Sequence, residues 1–472
     1  MNILLVSPCI DPEYKTPRSV MMPQLSLHIL SSLTPPHHRV TIIEEEYREI
    51  DFNTDYDLVG ISCFTSNASR AYTVADSFRE RGIPVVLGGI HPTLLPDEAA
   101  QHADAVVTGE AEEVWEEIVA DAESGDLKPF YAKNNILLHR YIPVRSLQEM
   151  AKGPFSLLPI QTTRGCPYDC EFCSVSKIYG RTIRHAPVQN VVRYIEESGG
   201  ASFIFLDDNI TGDRKYALEL FHALQPLKIR WVGQAPVSLA DDEELMKLAV
   251  KSGCVSILFG LESVSPRTLK RFRKSYTDLQ HIREAIKKIH GSGIHFHASM
   301  VFGFDEDDRS IFPETLEFLI KNRVACASFN ILTPYPGTRL FSELKAQDRI
   351  ITYDWKYYDT ETVVFKPALM TPGELHEGKL WIKKEFFSFM SIIRRLPGAM
   401  PHPVVCTVVN LGLRASVRHE IGRFGMKQRL LYSSEEPRDL KKGFRELDRM
   451  RPLYRSGAIN KNENNVYLGL DN

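Results

Sequence analysis

A C-x3-C-x2-C spacing of cysteines occurs in the stretch Thr162-Thr163-Arg164-Gly165-Cys166-Pro167-Tyr168-Asp169-Cys170-Glu171-Phe172-Cys173. Thiolates are soft ligands that suit iron–sulfur clusters. Three of them hold three irons of a cubane cluster and leave the fourth iron open for a chelating ligand. A zinc site completed by His185 and a chance group of buried thiols are the alternatives. Because zinc sites commonly use two C-x2-C pairs and no second pair is present, the spacing favours a 4Fe–4S cluster.

Around this motif, short apolar runs alternate with helical patterns over residues 155–335. Six parallel strands separated by helices predict a barrel, and a complete eight-fold barrel takes about 250 residues. We therefore expect an open, partial (β/α)6 TIM-like barrel over residues 150–340, with the cysteines just after its first strand. The predicted strands are Leu157–Thr162, Ser202–Leu206, Arg230–Gln234, Val255–Gly260, His295–Val301 and Ala327–Leu332.

The first 145 residues show a second alternation of strand and helix, which predicts a doubly wound (Rossmann-like) α/β domain. Ligands of such sheets bind beyond the carboxyl ends of the strands, where glycines leave room. Residues 341–472 are predicted to form a loop-rich and then mostly helical extension. The predicted amino-terminal strands are Asn2–Val6, Val40–Glu44, Asp57–Ser62, Pro84–Gly88 and Ala103–Thr108.

Composition is that of an ordinary globular protein: 472 residues, 43% hydrophobic, 25% charged and a net charge of −3. These values predict two to four domains and exclude a mainly disordered chain. No apolar run approaches the ~20 residues of a membrane-spanning helix, no secretion signal is visible, and the charge gives no reason to expect nucleic-acid binding. Eight cysteines without a paired framework indicate a reducing, cytoplasmic setting.

The cysteine motif, with Phe172 before its last cysteine and a barrel strand ahead of it, resembles the radical S-adenosylmethionine superfamily. A preceding doubly wound domain is similar to the cobalamin-dependent branch. The resemblance implies that Cys166, Cys170 and Cys173 bind the cluster, whose open iron chelates S-adenosylmethionine. An electron from the cluster then releases a 5′-deoxyadenosyl radical. Phe172 would pack near the adenine, or it is simply a core aromatic.

Three further S-adenosylmethionine contacts follow from the resemblance. Asp208, more than Asp207, matches the position that holds the methionine amino group, although a helix N-cap is the alternative. Glu262 in Gly-Leu-Glu-Ser matches the ribose contact, and Gly303 matches the adenine contact or is a turn glycine. Gln234 is interpreted as a core amide.

The cobalamin contacts implied by the resemblance lie on loops after three amino-terminal strands. The chain lacks Asp-x-His-x-x-Gly, so the lower cobalt ligand is unassigned. Methylthiotransferases, which hold a second cluster in this position, are disfavoured because residues 1–150 contain only Cys9 and Cys63. The predicted cobalamin contacts are Ser62, Thr65, Gly88, Gly89, His91, Thr93, Gly109 and Glu110.

The predicted reaction is methylation of an unactivated carbon by way of the 5′-deoxyadenosyl radical and methylcobalamin. Cyclisation, ring contraction or oxidation of a lipid, tetrapyrrole or natural product with the same cofactors is one alternative, and a non-catalytic sensor is another. Expected partners are a small-molecule or lipid substrate and an electron donor such as flavodoxin or ferredoxin. The tail from Trp381 to Asn472 has 17 Lys and Arg against 9 Asp and Glu. Its basic, apolar helices are expected to dock on the barrel or to contact a membrane surface.

Overall fold

The amino-terminal sheet of the computed structural model, which describes residues 1–14, 23–133, 157–271, 278–435 and 438–455, is parallel and six-stranded. Residues of β1 alternate between two apolar clusters, with Leu4 and Val6 on one face and Ile3 and Leu5 on the other. Helices therefore cover both faces, as predicted. The strands, in the order β2-β1-β3-β4-β5-β6, are β1 (Asn2–Ser7), β2 (Arg39–Glu44), β3 (Leu58–Ser62), β4 (Val85–Gly88), β5 (Ala105–Gly109) and β6 (Phe130–Lys133).

The described residues around this sheet include five helices, and one strand was not predicted. The edge strand β6 has a single buried residue, Tyr131, so it lacks an apolar run that sequence analysis could detect. The helices are α1 (Leu25–Leu33), α2 (Ala68–Arg79), α3 (Ile90–Leu94), α4 (Pro96–Ala99) and α5 (Trp115–Ser124).

The second sheet is also parallel and six-stranded, and its spatial order follows the chain. Its edge strands are the first and the last, so the barrel is open, as predicted. A two-stranded antiparallel ribbon, β8 (Thr163–Arg164) and β9 (Arg184–His185), stands beside it. The barrel strands are β7 (Leu158–Ile160), β10 (Ser202–Phe205), β11 (Arg230–Ala235), β12 (Cys254–Glu262), β13 (His295–Phe302) and β14 (Cys326–Ile331).

Helices connect the barrel strands on the outside and share one continuous apolar core with them. A short helix, α6 (Val175–Ile178), lies inside the loop closed by the ribbon. The others are α7 (Val188–Ser198), α8 (Arg214–Leu224), α9 (Glu243–Lys251), α10 (Pro266–Arg271), α11 (Leu279–Ser292) and α12 (Ile311–Lys321).

The carboxy-terminal part is mainly helical, as predicted, but it contains a 29-residue helix that was not predicted. That helix has exposed Val404 and Val408 as well as buried Cys406, so no one-sided apolar stripe marks it. Glycines within it further weaken the helical signal. The helices are α13 (Arg339–Ala346), α14 (Pro372–Phe386), α15 (Phe389–Arg395), α16 (Pro403–Leu431) and α17 (Leu440–Arg455).

The predicted domain boundaries lie at residues 145, 150 and 340. Those at 145 and 150 lie outside the described residues. The boundary at 340 falls inside α13. Among the described residues, no helix has both the length and the apolar character needed to cross a membrane.

A segment that follows the barrel returns to the amino-terminal domain, and we call residues 352–358 the strap. Trp355 of the strap donates from Nε1 to Oε1 of Glu98 at 2.7 Å, and the same oxygen accepts from the Tyr72 hydroxyl at 3.0 Å. Trp355 and Tyr358 belong to one apolar cluster of the amino-terminal sheet. The strap therefore ties the two sheets together independently of the chain that connects them.

Candidate active site

The cysteine motif lies in a cavity at the carboxyl ends of the barrel strands, which encloses about 790 Å³ of empty space, its mouth included. Every predicted cluster ligand and three of the four predicted S-adenosylmethionine contacts line it. They come from elements far apart in sequence, which the parallel strand order brings to one edge. The lining includes Cys166, Cys170, Phe172, Cys173, Asp208, Gln234, Gly260, Glu262 and Ser299.

The start of the cysteine loop is fixed by Asp207. Its carboxylate accepts from the backbone N–H of Thr162 at 2.7 Å and from the hydroxyls of Thr162 and Thr163 at 3.0 and 2.9 Å. Burial raises the pKa of Asp207 to about 6, against the effect of these hydrogen bonds. Asp207 is therefore a structural support for the loop, which leaves Asp208 as the carboxylate facing the cavity.

The three cysteines fit an iron–sulfur cluster better than a single zinc ion. Among the described residues, the group of potential ligands whose atoms all lie within 4.8 Å of one another is His37, His38 and Glu123, so the cysteine sulfurs do not converge on one ion. His185 points elsewhere, since it stacks on Tyr216 with ring centroids 4.4 Å apart. A multi-iron cluster does not require its sulfurs to meet around one ion, so this arrangement argues against zinc.

The chemistry of this cavity favours cations. Burial raises the pKa of Cys173 to about 12, and the neighbouring Cys170, Asp208 and Cys166 charges add to this effect. A bound metal overcomes this raised pKa, because a thiol that coordinates a metal loses its proton. Oδ2 of Asp208 is buried without a hydrogen-bond partner among the described residues. Burial and the charge of Asp207 raise the pKa of Asp208 to about 7, although Arg164 opposes them.

Glu262 occupies a strained position at the end of β12. Its φ of 63° is unusual for a residue with a side chain, and the register between β12 and β13 shifts between Gly260 and Glu262. Such strain costs on the order of 1–3 kcal/mol and gathers at functional sites. Phe172 packs edge to face on Phe304, with ring centroids 6.1 Å apart, so it is both a cavity wall and a core aromatic.

Gly303 does not line the cavity. Its backbone N–H donates to Oδ2 of Asp307 at 3.0 Å, its φ is 110°, and an added Cβ would lie 2.8 Å from Leu375 of α14. The structure thus shows a turn glycine packed under α14. Gln234 and Ser299 line the cavity although the first was interpreted as a core amide and the second was not singled out. Their position near the carboxyl end of a barrel strand was the available signal.

A second cleft opens at the carboxyl edge of the amino-terminal sheet and encloses about 1190 Å³ of empty space, its mouth included. Five predicted cobalamin contacts line it: Ser62, Gly88, Gly89, Gly109 and Glu110. Gly89 has a φ of 104°, and an added Cβ would lie 2.7 Å from the carbonyl oxygen of Cys63. Because three of these residues are glycines, no side chain projects from the wall into the cleft at those positions. The opposite wall comes from the barrel, through Arg164, Tyr179 and Leu206.

The other three predicted cobalamin contacts lie behind the cleft wall. His91 is fully buried, with Nδ1 3.3 Å from the Thr65 hydroxyl and Nε2 3.2 Å from Glu98. Thr93 donates to the carbonyl of Gly89 at 2.7 Å and accepts from the N–H of Gly109 at 3.0 Å. Thr65, His91 and Thr93 therefore support the glycine loops instead of facing the cleft.

Comparison with known proteins defines the class. Residues 160–319 match the family model "Radical SAM superfamily", and residues 38–119 match "B12 binding domain". The solved structure of the radical S-adenosylmethionine methyltransferase TsrM from Kitasatospora setae, with cobalamin and a [4Fe-4S] cluster bound, superposes with a TM-score of 0.66 at 14% identity. It covers 97% of this chain and 100% of that chain. The fold is thus that of a radical enzyme carrying a cobalamin domain.

Two curated relatives make the assignment specific. Bacteriochlorophyllide d C-12(1)-methyltransferase of Chlorobaculum tepidum is 32% identical over 84% of this chain and 89% of that protein. Bacteriochlorophyllide d C-8(2)-methyltransferase of the same organism is 30% identical over 74% of this chain and 82% of that protein. The chain belongs to the cobalamin-dependent radical S-adenosylmethionine enzymes. Its cofactors are a 4Fe–4S cluster, S-adenosylmethionine and cobalamin, and methyl transfer to carbon is the activity that this membership supports.

Proposed function

We propose that this enzyme methylates an unactivated carbon of a tetrapyrrole-like small molecule. The observation that carries the proposal is the close placement of the two clefts, because the same short segments line both. Arg164 lines the cobalamin cleft, and Cys166, two residues later, lines the cluster cavity. In the same manner, Leu206 lines the cleft and Asp208 lines the cavity. A substrate placed between the clefts is within reach of both cofactors. The tetrapyrrole class follows from the two bacteriochlorophyllide methyltransferases that the chain resembles.

When bound, the cofactors supply a carbon radical on the substrate and a separate methyl donor for it. The residues of this chain bind and orient. Cys166, Cys170 and Cys173 hold the cluster, and Asp208 accepts the methionine ammonium with an oxygen that has no other partner among the described residues. Glu262 accepts from the ribose, and Phe172 packs beside the adenine. Gly303 acts on the adenine only through the backbone turn that it permits.

The cobalamin side of the proposal depends on shape. Ser62, Gly88, Gly89 and Gly109 leave room for a flat macrocycle, and apolar side chains such as Leu30 and Trp115 line the remainder of the cleft. Apolar walls exclude water, which protects a reactive radical from side reactions. We also propose that residues 1–145 form the cobalamin-binding domain, residues 150–340 the barrel and residues 341–472 the carboxy-terminal domain.

Product analysis tests the reaction. Anaerobically reconstituted enzyme with reductant, methyl-labelled S-adenosylmethionine and a chlorophyllide-type substrate should give one S-adenosylhomocysteine and one 5′-deoxyadenosine for each labelled methyl group gained. A cyclase or oxidase would form 5′-deoxyadenosine without matching S-adenosylhomocysteine, and the label would be absent from its product. If a lipid such as a hopanoid is methylated and the tetrapyrrole is not, the reaction stands and the substrate class is wrong.

The partners proposed for this reaction are a small-molecule substrate and a low-potential electron donor, flavodoxin or ferredoxin, in a reducing cytoplasm. Omitting the donor should stop 5′-deoxyadenosine formation unless a chemical reductant replaces it. Each protein donor is tested separately with its reductase, and activity with neither would contradict this part of the proposal.

We propose membrane contact for the outer faces of α15 and α16. Phe389 and Val404 are 61% and 73% exposed, residues 386–419 contain no acidic side chain, and Arg394 and Arg418 are exposed. The inner faces dock on the barrel, since Arg395 donates to the carbonyls of Val324 and Ala325 at 3.0 and 2.8 Å. An apolar surface with basic residues suits an anionic bilayer.

Vesicle sedimentation tests this contact. The protein should bind phosphatidylglycerol vesicles more tightly than phosphatidylcholine vesicles, and Val404→Asp should abolish the difference. Val250→Asp, on α9, changes a residue that is 39% exposed and serves as the control. Equal behaviour of the two variants, or a change of oligomeric mass in Val404→Asp without vesicles, would contradict membrane contact.

A further inference from the structure

The ribbon formed by β8 and β9 has an unfavourable arrangement of charge. It closes the loop of residues 165–183, which carries all three cysteines, and its register places Arg164 directly opposite Arg184. Like charges that face each other across two strands destabilise the pair. The base of the cysteine loop therefore needs a counter-charge.

The counter-charge comes from the amino-terminal domain. Glu110, whose side chain is 2% exposed, accepts from Nη1 of Arg164 at 2.6 Å through Oε1 and from Nη1 of Arg184 at 2.7 Å through Oε2. Glu112 forms a second ion pair with Arg164, and Arg164 also donates from Nε to Gln161 at 2.9 Å. Removing one partner of a buried ion pair is costly, because it leaves the other charge without compensation.

Glu110 is also part of the cobalamin cleft. It follows Gly109, the last residue of β5, and its backbone N–H donates to the carbonyl of Lys133 on β6 at 2.7 Å. On the other side, Arg164 precedes Cys166 by two residues. One carboxylate thus joins the glycine wall of the cleft to the root of the cysteine loop through two short hydrogen bonds.

We infer that Glu110 is a positioning residue that sets the distance and orientation of the cluster loop relative to the cobalamin cleft. The inference rests on the proposed function, in which both cofactors act on one substrate. It also gives Glu110 a role other than the predicted direct contact with cobalamin, since both carboxylate oxygens are held by the two arginines. The strap at Trp355 keeps the two sheets attached when this link is broken, so its loss shifts the sites without separating them.

The test is Glu110→Gln in the full-length, reconstituted enzyme. We expect the variant to keep its cluster and its cobalamin by absorbance and to form 5′-deoxyadenosine, while methylated product per 5′-deoxyadenosine falls by about 10- to 100-fold. A displacement of about 1 Å at a reacting centre is enough for such a loss. Electron paramagnetic resonance supplies a readout without turnover, because the relaxation of the cob(II)alamin signal caused by the reduced cluster depends on their separation and should change.

Glu113→Gln is the matched control, because Glu113 pairs with Lys133 at 3.4 Å within the amino-terminal domain alone. Arg184→Gln removes one of the two arginine partners of Glu110 from the barrel side, while Arg164 keeps its pairs with Glu110 and Glu112. It should lower coupling in the same direction by a smaller factor, which keeps the test valid if Glu110→Gln does not fold. Loss of cobalamin in Glu110→Gln with normal coupling in Arg184→Gln would overturn the inference in favour of a direct cofactor contact. Unchanged coupling and relaxation in both variants would also overturn it. If the wild-type enzyme methylates none of the substrates, the proposed function fails, and the relaxation measurement still decides the role of Glu110.

Discussion

The cluster cavity and the cobalamin cleft lie side by side but are built on opposite principles. The cavity is defined by side chains that project into it: three thiols, Asp208 and Glu262 at strand ends. The cleft is defined by side chains that are missing, at Gly60, Gly88, Gly89 and Gly109. A site made of donor groups leaves a specific motif in the sequence, whereas a site made of space leaves only glycines, which many turns also contain. We therefore predict that cofactor binding in the cavity is lost when a ligand side chain is removed, and that cofactor binding in the cleft is lost when a side chain is added to a glycine.

The largest effect should come from Cys173→Ala. Loss of one thiolate removes a ligand that no other described side chain near the cavity replaces, so 5′-deoxyadenosine formation should fall to background. Cys173 does not line the cobalamin cleft, so hydroxocobalamin retention through gel filtration should equal that of the wild type. A variant that keeps its absorbance at about 400 nm after anaerobic reconstitution would contradict the assignment of this cluster ligand.

Gly89→Leu tests the cleft by adding atoms. A Cβ there would lie 2.7 Å from the Cys63 carbonyl, so the loop must move into the cleft and cobalamin retention should be lost. Gly82→Leu is the control, since Gly82 also has a positive φ of 75° but nothing lies within 4 Å of an added Cβ. It should cost only the left-handed strain of about 1–2 kcal/mol. Equal corrinoid retention in the two variants would show that space at Gly89 is not what admits the cofactor.

Asp208→Asn changes one charge in the cavity and keeps its shape. Because hydrogen bonds to charged groups contribute about 1.5–3 kcal/mol, the Kd for S-adenosylmethionine should rise by roughly 10- to 100-fold, measured by calorimetry on cluster-loaded protein. Asp169→Asn, in the same loop but outside the cavity lining, should leave the Kd unchanged. A Kd for Asp208→Asn within twofold of the wild-type value would remove the ammonium contact from the proposal.

The smallest effect should come from Trp355→Phe, which removes one hydrogen bond to Glu98 and leaves both clefts untouched. The free energy of unfolding should fall by about 0.5–1.5 kcal/mol, the net contribution of one hydrogen bond, because Glu98 is partly exposed and keeps its bonds to Tyr72 and His91. Tyr353→Phe, at an exposed position of the strap itself, should change it by less than about 0.5 kcal/mol. Denaturant unfolding of the apoprotein makes both measurements. Equal values for the two variants would mean that the strap adds no stability through this bond.

Sequence reasoning found the elements that carry a strong periodic signal and missed those that do not. The predicted barrel strands are present with ends shifted by one or two residues, because buried parallel strands are continuous apolar runs. The edge strand β6 was missed because Tyr131 is its single buried residue, and the helix α16 because it mixes exposed valines with buried Asn410 and Gln428.

The site shows the same division. Motif residues whose chemistry requires a cavity, such as Cys166 and Asp208, are in it. Residues predicted only from their place after a strand were harder to assign. His91 and Thr93 follow Gly89 in the chain, yet their polar atoms face backward to Glu98 and to the loop backbone. The direction of a side chain after a turn depends on tertiary partners such as the strap, which local sequence does not specify.

The strap sets an order of events during biosynthesis. The amino-terminal sheet is complete in the chain at Lys133, but Glu98 receives its tryptophan donor only when Trp355 has left the ribosome. At about 5–20 residues per second, the interval is on the order of 10 to 45 s. Throughout that time the loop after Gly88 has the hydrogen bonds of His91 and Thr93 but lacks the bond from Trp355 to Glu98. Docking of the strap onto the amino-terminal domain is therefore a late step that joins two distant parts of the chain, and a chain that ends before residue 355 would lack the Trp355–Glu98 hydrogen bond.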